Sequence, residues 1–171
     1  GVQWKDAKGN HVVFYTATGL YESREEDPGD GLSAEIFAYH YTYQDNPNHA
    51  KLVWKLQEAE LNCPLAILLE FIDGSFQVTD LDNNGESEIW LAYRGGCSGD
   101  IAPWGMSVVM YEGNKKYTMS GNVQVIFDGG EQTGGEYKFD KDFESAPDAF
   151  KKFADEVWKK HCFYYDYSKE K

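Results

Sequence analysis

Proline, cysteine and basic residues are all scarce in this chain: 171 residues hold 5 Pro, 3 Cys and 16 Lys plus Arg against 29 Asp plus Glu. The formal net charge of −13 leaves no cluster of cations for phosphates. Nucleic acid and anionic membrane surfaces are therefore poor partners, while cations and polar neutral ligands stay open. No apolar run approaches the ~20 residues that a membrane helix requires, so no transmembrane segment is expected. Catalytic signatures are missing too. The sequence has no G-x-S-x-G elbow, no Walker A loop and no G-x-G-x-x-G, and His11, His40, His49 and His161 are scattered without H-E-x-x-H spacing. Acyl transfer and nucleotide chemistry lack support. An odd cysteine count cannot close fully into internal bridges, and the spacing of Cys63, Cys97 and Cys162 excludes a C-x-x-C metal knuckle.

Aromatics are abundant instead, at 16% with 12 Tyr, alongside 17 Gly. That balance suits a twisted antiparallel sheet better than a helical bundle, and the length suits one domain. Period-two runs recur along the chain. Residues 2–4 and 11–16 flank a hairpin turn, and residues 34–43 and 51–57 form a second pair around Asp45-Asn46-Pro47-Asn48. Residues 65–72 are almost continuously apolar, which predicts a central strand covered on both sides. Residues 106–111 and 116–120 make another hairpin, and 122–127 a last strand. The period then changes. After a Gly-rich stretch, Phe150, Phe153, Ala154, Val157, Trp158 and Cys162 recur at helical spacing behind Ser145-Ala146-Pro147-Asp148, a plausible capping start. The tail from Phe163 to Tyr167 packs on the same surface or adds an edge strand. The expectation is an α+β fold: a predominantly antiparallel meander of about eight to ten strands over 1–127, a loop over 128–144, and one amphipathic helix over 145–162 packed on the sheet.

The richest local pattern is Asp80-Leu81-Asp82-Asn83-Asn84-Gly85-Glu86-Ser87-Glu88, with oxygen-bearing side chains at positions 1, 3, 5 and 9 around a Gly at position 6. A hard cation such as Ca²⁺ takes six to eight oxygens at roughly 2.3–2.6 Å, which a tight loop supplies from alternate residues. Asp80, Asp82 and Asn84 would give side-chain oxygens, Glu86 its main-chain carbonyl and Glu88 a closing carboxylate. Position 12 is Leu91, so the EF-hand signature is not met. The flanking runs are both β-like, which makes this a strand-to-strand connection. A plain Asx turn is the competing reading, since Asn and Asp readily cap their own backbone. A second acidic group, Glu25, Glu26, Asp27 and Asp30, reads as an exposed loop.

The loop resembles the D-x-D-x-N-G-x-x-E loops of FG-GAP and VCBS-type repeats, in which calcium braces a turn between two strands. Only one copy is present, and a propeller would need several such repeats. A wider set of residues over 61–121, namely Leu69-Glu70-Phe71, Phe76, the loop itself, Tyr93-Arg94, Cys97 and Asp100-Ile101-Ala102-Pro103, is similar to a family of short exported bacterial proteins linked by label to surface polysaccharide biosynthesis. The resemblance implies an envelope protein and carries no catalytic residues.

Two further features bear on function. Cys63 precedes one predicted strand and Cys97 follows another, so the two are placed to meet as a disulfide at a sheet edge, while Cys162 sits on the helical stripe as a buried thiol. Phe37, Tyr39, Tyr41 and Tyr43 share one strand face, with Leu52, Trp54 and Leu56 on the next, and cross-strand core packing is the expected role. The sharper alternative makes Tyr39, Tyr41, Trp90 and Trp104 a sugar-stacking set. The chain opens at Gly1 without Met, which fits a removed signal peptide, and the composition favours export to the periplasm or cell surface, with a lipid anchor left open. Three functions follow: a non-catalytic exported envelope protein braced by Ca²⁺, with polysaccharide or another envelope protein as partner; a carbohydrate-binding module; and a glycoside-type hydrolase.

Overall fold

Strand-forming residues dominate the computed structural model, which describes residues 1–22, 31–99, 102–127 and 129–166. In chain order the strands are β1 (Val2–Asp6), β2 (Gly9–Ala17), β3 (Tyr21–Glu22), β4 (Leu32–Tyr43), β5 (Lys51–Cys63), β6 (Ala66–Phe71), β7 (Gln77–Thr79), β8 (Glu88–Ser98), β9 (Gly105–Glu112), β10 (Lys115–Asn122), β11 (Gln124–Ile126), β12 (Gln132–Thr133) and β13 (Tyr137–Phe139). Helices α1 (Lys141–Glu144) and α2 (Asp148–His161) follow, then β14 (Phe163–Asp166). The acidic group Glu25, Glu26, Asp27 and Asp30 lies outside the described residues, as do Asp100 and Ile101.

The fold is α+β and mostly antiparallel sheet, arranged as layers rather than one meander. The first sheet runs β1-β2-β4-β5, with β3 in line beside β2 along β4. The second runs β13-β10-β9-β8-β6, with β7 in line with β6 along β8. A small third sheet joins β12, β11 and β14, the last pair parallel. Val13, Ala38, Trp54 and Leu56 of the first sheet meet Ile89, Leu91, Val109 and Tyr111 of the second. There the Trp54 and Tyr111 rings stack at 4.0 Å. The opposite face of the second sheet, with Trp90, Met110 and Met119, packs on Phe143, Phe150, Ala154, Val157 and Trp158. Each such side chain contributes about 1.5–3 kcal/mol through burial, so the helical stripe is what holds the third layer.

Several expectations are corrected by this layering. The apolar run at 65–72 supplies β6, an edge strand whose residues are half-buried or exposed, whereas β8 is central, with Glu88 through Ala92 fully buried. Ser145 does not cap α2. That helix begins behind Pro147 without a side-chain cap, and the Ser145 hydroxyl instead donates to carbonyls of α1. The cap of α1 is Asp140, whose Oδ1 accepts the Phe143 amide at 2.7 Å. The aromatic face of β4 is the largest departure. Ala34, Ile36, Ala38 and His40 face the core at 0–3% exposure, while Phe37, Tyr39, Tyr41 and Tyr43 stand half-exposed on the outside. Small residues point inward because Trp54 on the neighbouring strand and Ile89, Leu91 and Tyr111 on the facing sheet already fill the space between sheets. A register shift pairs His40 with Trp54 but Tyr41 with Leu52, so Val53 is extra on β5. Leu52 consequently falls on the outer face at 52% exposure although Trp54 and Leu56 are buried.

Candidate metal centre

Residues 80–87 connect β7 to β8, two strands paired so that Thr79 lies opposite Glu88. The connection is tied by its own side chains. Asp80 Oδ2 accepts the Gly85 amide at 3.1 Å, Asp82 Oδ1 accepts the Asn84 amide at 3.1 Å, and Asn84 Oδ1 accepts the Glu86 amide at 2.7 Å. Asn83 and Gly85 take φ of 59° and 80°, the left-handed turn that lets alternate side chains point inward. Glu88 is fully buried. Its carboxylate receives the Leu81 amide at 2.9 Å and the Thr79 hydroxyl at 2.5 Å, and Thr79 in turn accepts the Trp90 indole N–H at 2.8 Å.

This geometry brings one carboxylate oxygen each from Asp80, Asp82 and Glu88 within 4.8 Å of one another. Two oxygens bound to one Ca²⁺ at roughly 2.4 Å lie no farther apart than roughly 4.8 Å, so the three fit a single ion of that size. Three like charges at such spacing repel by about 1 kcal/mol per pair even in water. The Asn84 amide donates to Asp82 Oδ2 at 3.1 Å and to Glu112 Oε1 at 2.7 Å, while its carbonyl oxygen accepts the Glu86 amide. The Glu86 carboxylate pairs with Lys8 at 3.3 Å. An all-oxygen donor set of this kind suits a hard cation, with water completing the shell.

Sequence reasoning missed two neighbours. Glu112 of β9 lies opposite Glu88 across the sheet. Burial pushes its carboxyl up, the Asn84 bond pulls it back, and the charges of Asp82, Glu88 and Glu86 raise it further. On the other side the β1–β2 hairpin clamps the loop. The Ala7 amide donates to the Gly85 carbonyl at 3.1 Å, the Trp4 indole to Ser87 Oγ at 3.1 Å, and the Ser87 amide to Asp6 Oδ2 at 3.0 Å. Asp6 also receives His11 Nε2 at 2.8 Å, and His11 Nδ1 lies 2.9 Å from His40 Nε2. With the Asp6 carboxylate as acceptor, His11 Nε2 donates to it, and His40 Nδ1 is buried without a hydrogen-bond partner among the described residues. Burial, with help from neighbouring His11 and against the pull of Asp6, holds His40 down to about 4. Burial alone would raise Asp6, but bonds from Lys8, Ser87 and His11 outweigh it and keep the carboxyl below its ordinary value. No local motif announces this chain of residues; it exists only through strand register.

The remaining predicted residues divide. Cys63 and Cys97 form a disulfide between β5 and β8, with Cα atoms 5.7 Å apart, and Cys162 is a buried free thiol. Trp90 is fully buried with its N–H bonded and so does not belong to a surface stacking set, and Trp104 is half-buried against the helical core. Tyr39 and Tyr41 do lie on a surface row. Phe14 packs between them, 5.3 Å from Tyr39 and 5.8 Å from Tyr41, Phe37 lies 6.4 Å from Tyr39, and the planes differ by 28° or less. Lys55 Nζ stands over the Phe37 and Tyr39 rings. Among the described residues, no helix is long and apolar enough to cross a membrane. Comparison of the chain with protein-family models, curated proteins and solved structures gives no match.

Proposed function

We propose that the protein is a non-catalytic, exported envelope module in which Ca²⁺ bound by Asp80, Asp82, Asn84, Glu88 and the Glu86 carbonyl braces the β7–β8 connection, in the manner of the surface-polysaccharide family it resembles. The supporting observation is the convergence of three carboxylates within 4.8 Å in a loop that is otherwise pre-tied by its own hydrogen bonds. A loop already folded loses little entropy on binding the ion, and a modest charge count matches the millimolar calcium found outside the cytoplasm. The Cys63–Cys97 bridge is at home in the same oxidising setting, at the periplasm or cell surface. Isothermal titration with Ca²⁺ tests the reading. Wild-type protein should bind about one ion, and Asp82→Ala should weaken binding at least tenfold; absence of heat at millimolar calcium contradicts it.

A second reading, carbohydrate binding, is favoured by the row Phe37, Tyr39, Phe14 and Tyr41 with Lys55 above it. Aromatic faces flanked by a cation and hydroxyls suit sugar C–H surfaces and ring hydroxyls. Affinity electrophoresis through neutral polysaccharide gels should retard the wild type and release Tyr39→Ala; equal mobility of the two contradicts a stacking role.

A further inference from the structure

On the inward face of β5, buried Trp54 and Leu56 are followed at the same alternation by Glu58 and Glu60. A strand face that continues between two sheets has no packing reason to carry two carboxylates, and such local conflicts mark functional positions. The second sheet changes at the same place. Where the rest of its inner face carries Ile89, Leu91 and Val109, it presents here the backbone of Gly95, Gly105 and Gly121, the hydroxyls of Ser107 and Ser120, and the Tyr93 phenol. Between the sheets this leaves a cavity of about 280 Å³.

The two carboxylates differ in state. Lys116 Nζ stands 3.7 Å from Glu58 Oε1 and offsets its charge. The Glu60 carboxylate makes no hydrogen bond or ion pair among the described residues although it is half-buried, and burial pushes it up. Burial likewise pushes the Tyr93 phenol up and keeps it protonated, so that it donates to Glu58 while accepting from Ser107.

We propose that this cavity binds a neutral polyhydroxylated ring, a single saccharide unit, whose hydroxyls donate to Glu58 and Glu60 and accept from Ser120, with Tyr93 and Ser107 holding Glu58 in place. An anion meets Glu60 with no cation to spare, because Lys116 already serves Glu58. A small cation finds one of its two carboxylates already paired. An apolar ligand would strip water from both acids without replacing it, which costs several kcal/mol. Vicinal hydroxyls satisfy a carboxylate two at a time, and a floor of bare backbone lets a ring lie close. The volume sits at the lower edge of the ~300–1,000 Å³ typical of ligand pockets, which fits one ring. The site is separate from the outer aromatic row and from the acidic loop, and it stands whether or not the loop takes calcium.

Saturation-transfer NMR with D-glucose, D-galactose, D-mannose and N-acetylglucosamine at millimolar concentration tests it, with methylammonium as a cationic probe and circular dichroism as a check of folding. At least one sugar should bind the wild type. Its affinity should fall about tenfold in Glu60→Gln, the loss expected for one charge-assisted hydrogen bond, and vanish in Ser107→Leu, which fills the cavity. Leu52→Ala, on the exposed outer face of β5, should bind as the wild type does. Should Ser107→Leu fail to fold, the shape-preserving Glu60→Gln decides. The proposal is overturned by silence from every sugar, by binding that survives Glu60→Gln unchanged, or by methylammonium binding more tightly than any sugar. Loss in Tyr39→Ala alone also overturns it, assigning the sugar to the outer row.

Discussion

Glu88 shows how a single side chain serves both fold and site: its buried carboxylate anchors the Leu81 amide and the Thr79 hydroxyl while pointing an oxygen at Asp80 and Asp82. The acids of the loop were legible in the sequence because their spacing is local and Gly85 marks the turn. Glu112, Asp6, His11 and His40 were not, because they meet only through pairings such as His11 with Thr42 and Glu88 with Glu112 across strands. Gly85 has φ of 80°, and a Cβ there would lie 3.2 Å from the Ala7 Cβ. Gly85→Ala should therefore lower unfolding stability by about 1–2 kcal/mol, read as a reduced urea midpoint with unchanged slope. His40 makes a pH prediction whose sign follows from its depressed value of about 4, against an ordinary 6.5. The unfolded chain takes up this proton first as pH falls, so the contribution is complete above about 6.5 and is lost on descent to about 4, amounting to about 3 kcal/mol. Stability curves against pH should be flatter across that window in His40→Leu than in the wild type; identical slopes would remove His40 from the account.

At the scale of elements, alternation identified most strands but not which face of each is buried. In β4 both faces are apolar enough to be core, and the choice was made by the bulk of Trp54 on the neighbouring strand and Tyr111 on the facing sheet. The extra residue Val53 then moved Leu52 to the outside, an event with no local signature. An apolar run likewise did not make β6 central, because the number of neighbours a strand has is set by topology. Helix α2 was readable because one stripe and one partner surface leave no such choice. Truncation of Phe150, buried to 1% exposure on that stripe, should cost about 3–5 kcal/mol in Phe150→Ala by chemical denaturation. The Cys63–Cys97 bridge joins residues 34 apart and ties the end of β5 to β8. By loop-closure entropy, Cys63→Ser combined with Cys97→Ser should destabilise the protein by roughly 3–4 kcal/mol, measured as a lower melting temperature that reductant no longer affects.

For the whole molecule, the first sheet and the two helices pack on opposite faces of the second sheet, and the acidic loop sits where the β1–β2 hairpin of the first sheet is sewn to the start of β8 of the second. An ion in that loop would therefore brace the two sheets together rather than one turn alone. This makes calcium a global stabiliser in the account, with a net charge of −13 adding repulsion that a divalent cation relieves. Calcium at a hundred times its dissociation constant adds about 2.7 kcal/mol to unfolding. For a chain of this size that is about 5–10 °C in melting temperature. The most direct measurement is scanning calorimetry of the wild type and of Asp80→Ala, each with chelator and with millimolar Ca²⁺. A rise of that size is expected for the wild type and none for Asp80→Ala; superimposable wild-type transitions with and without calcium would contradict a bracing ion.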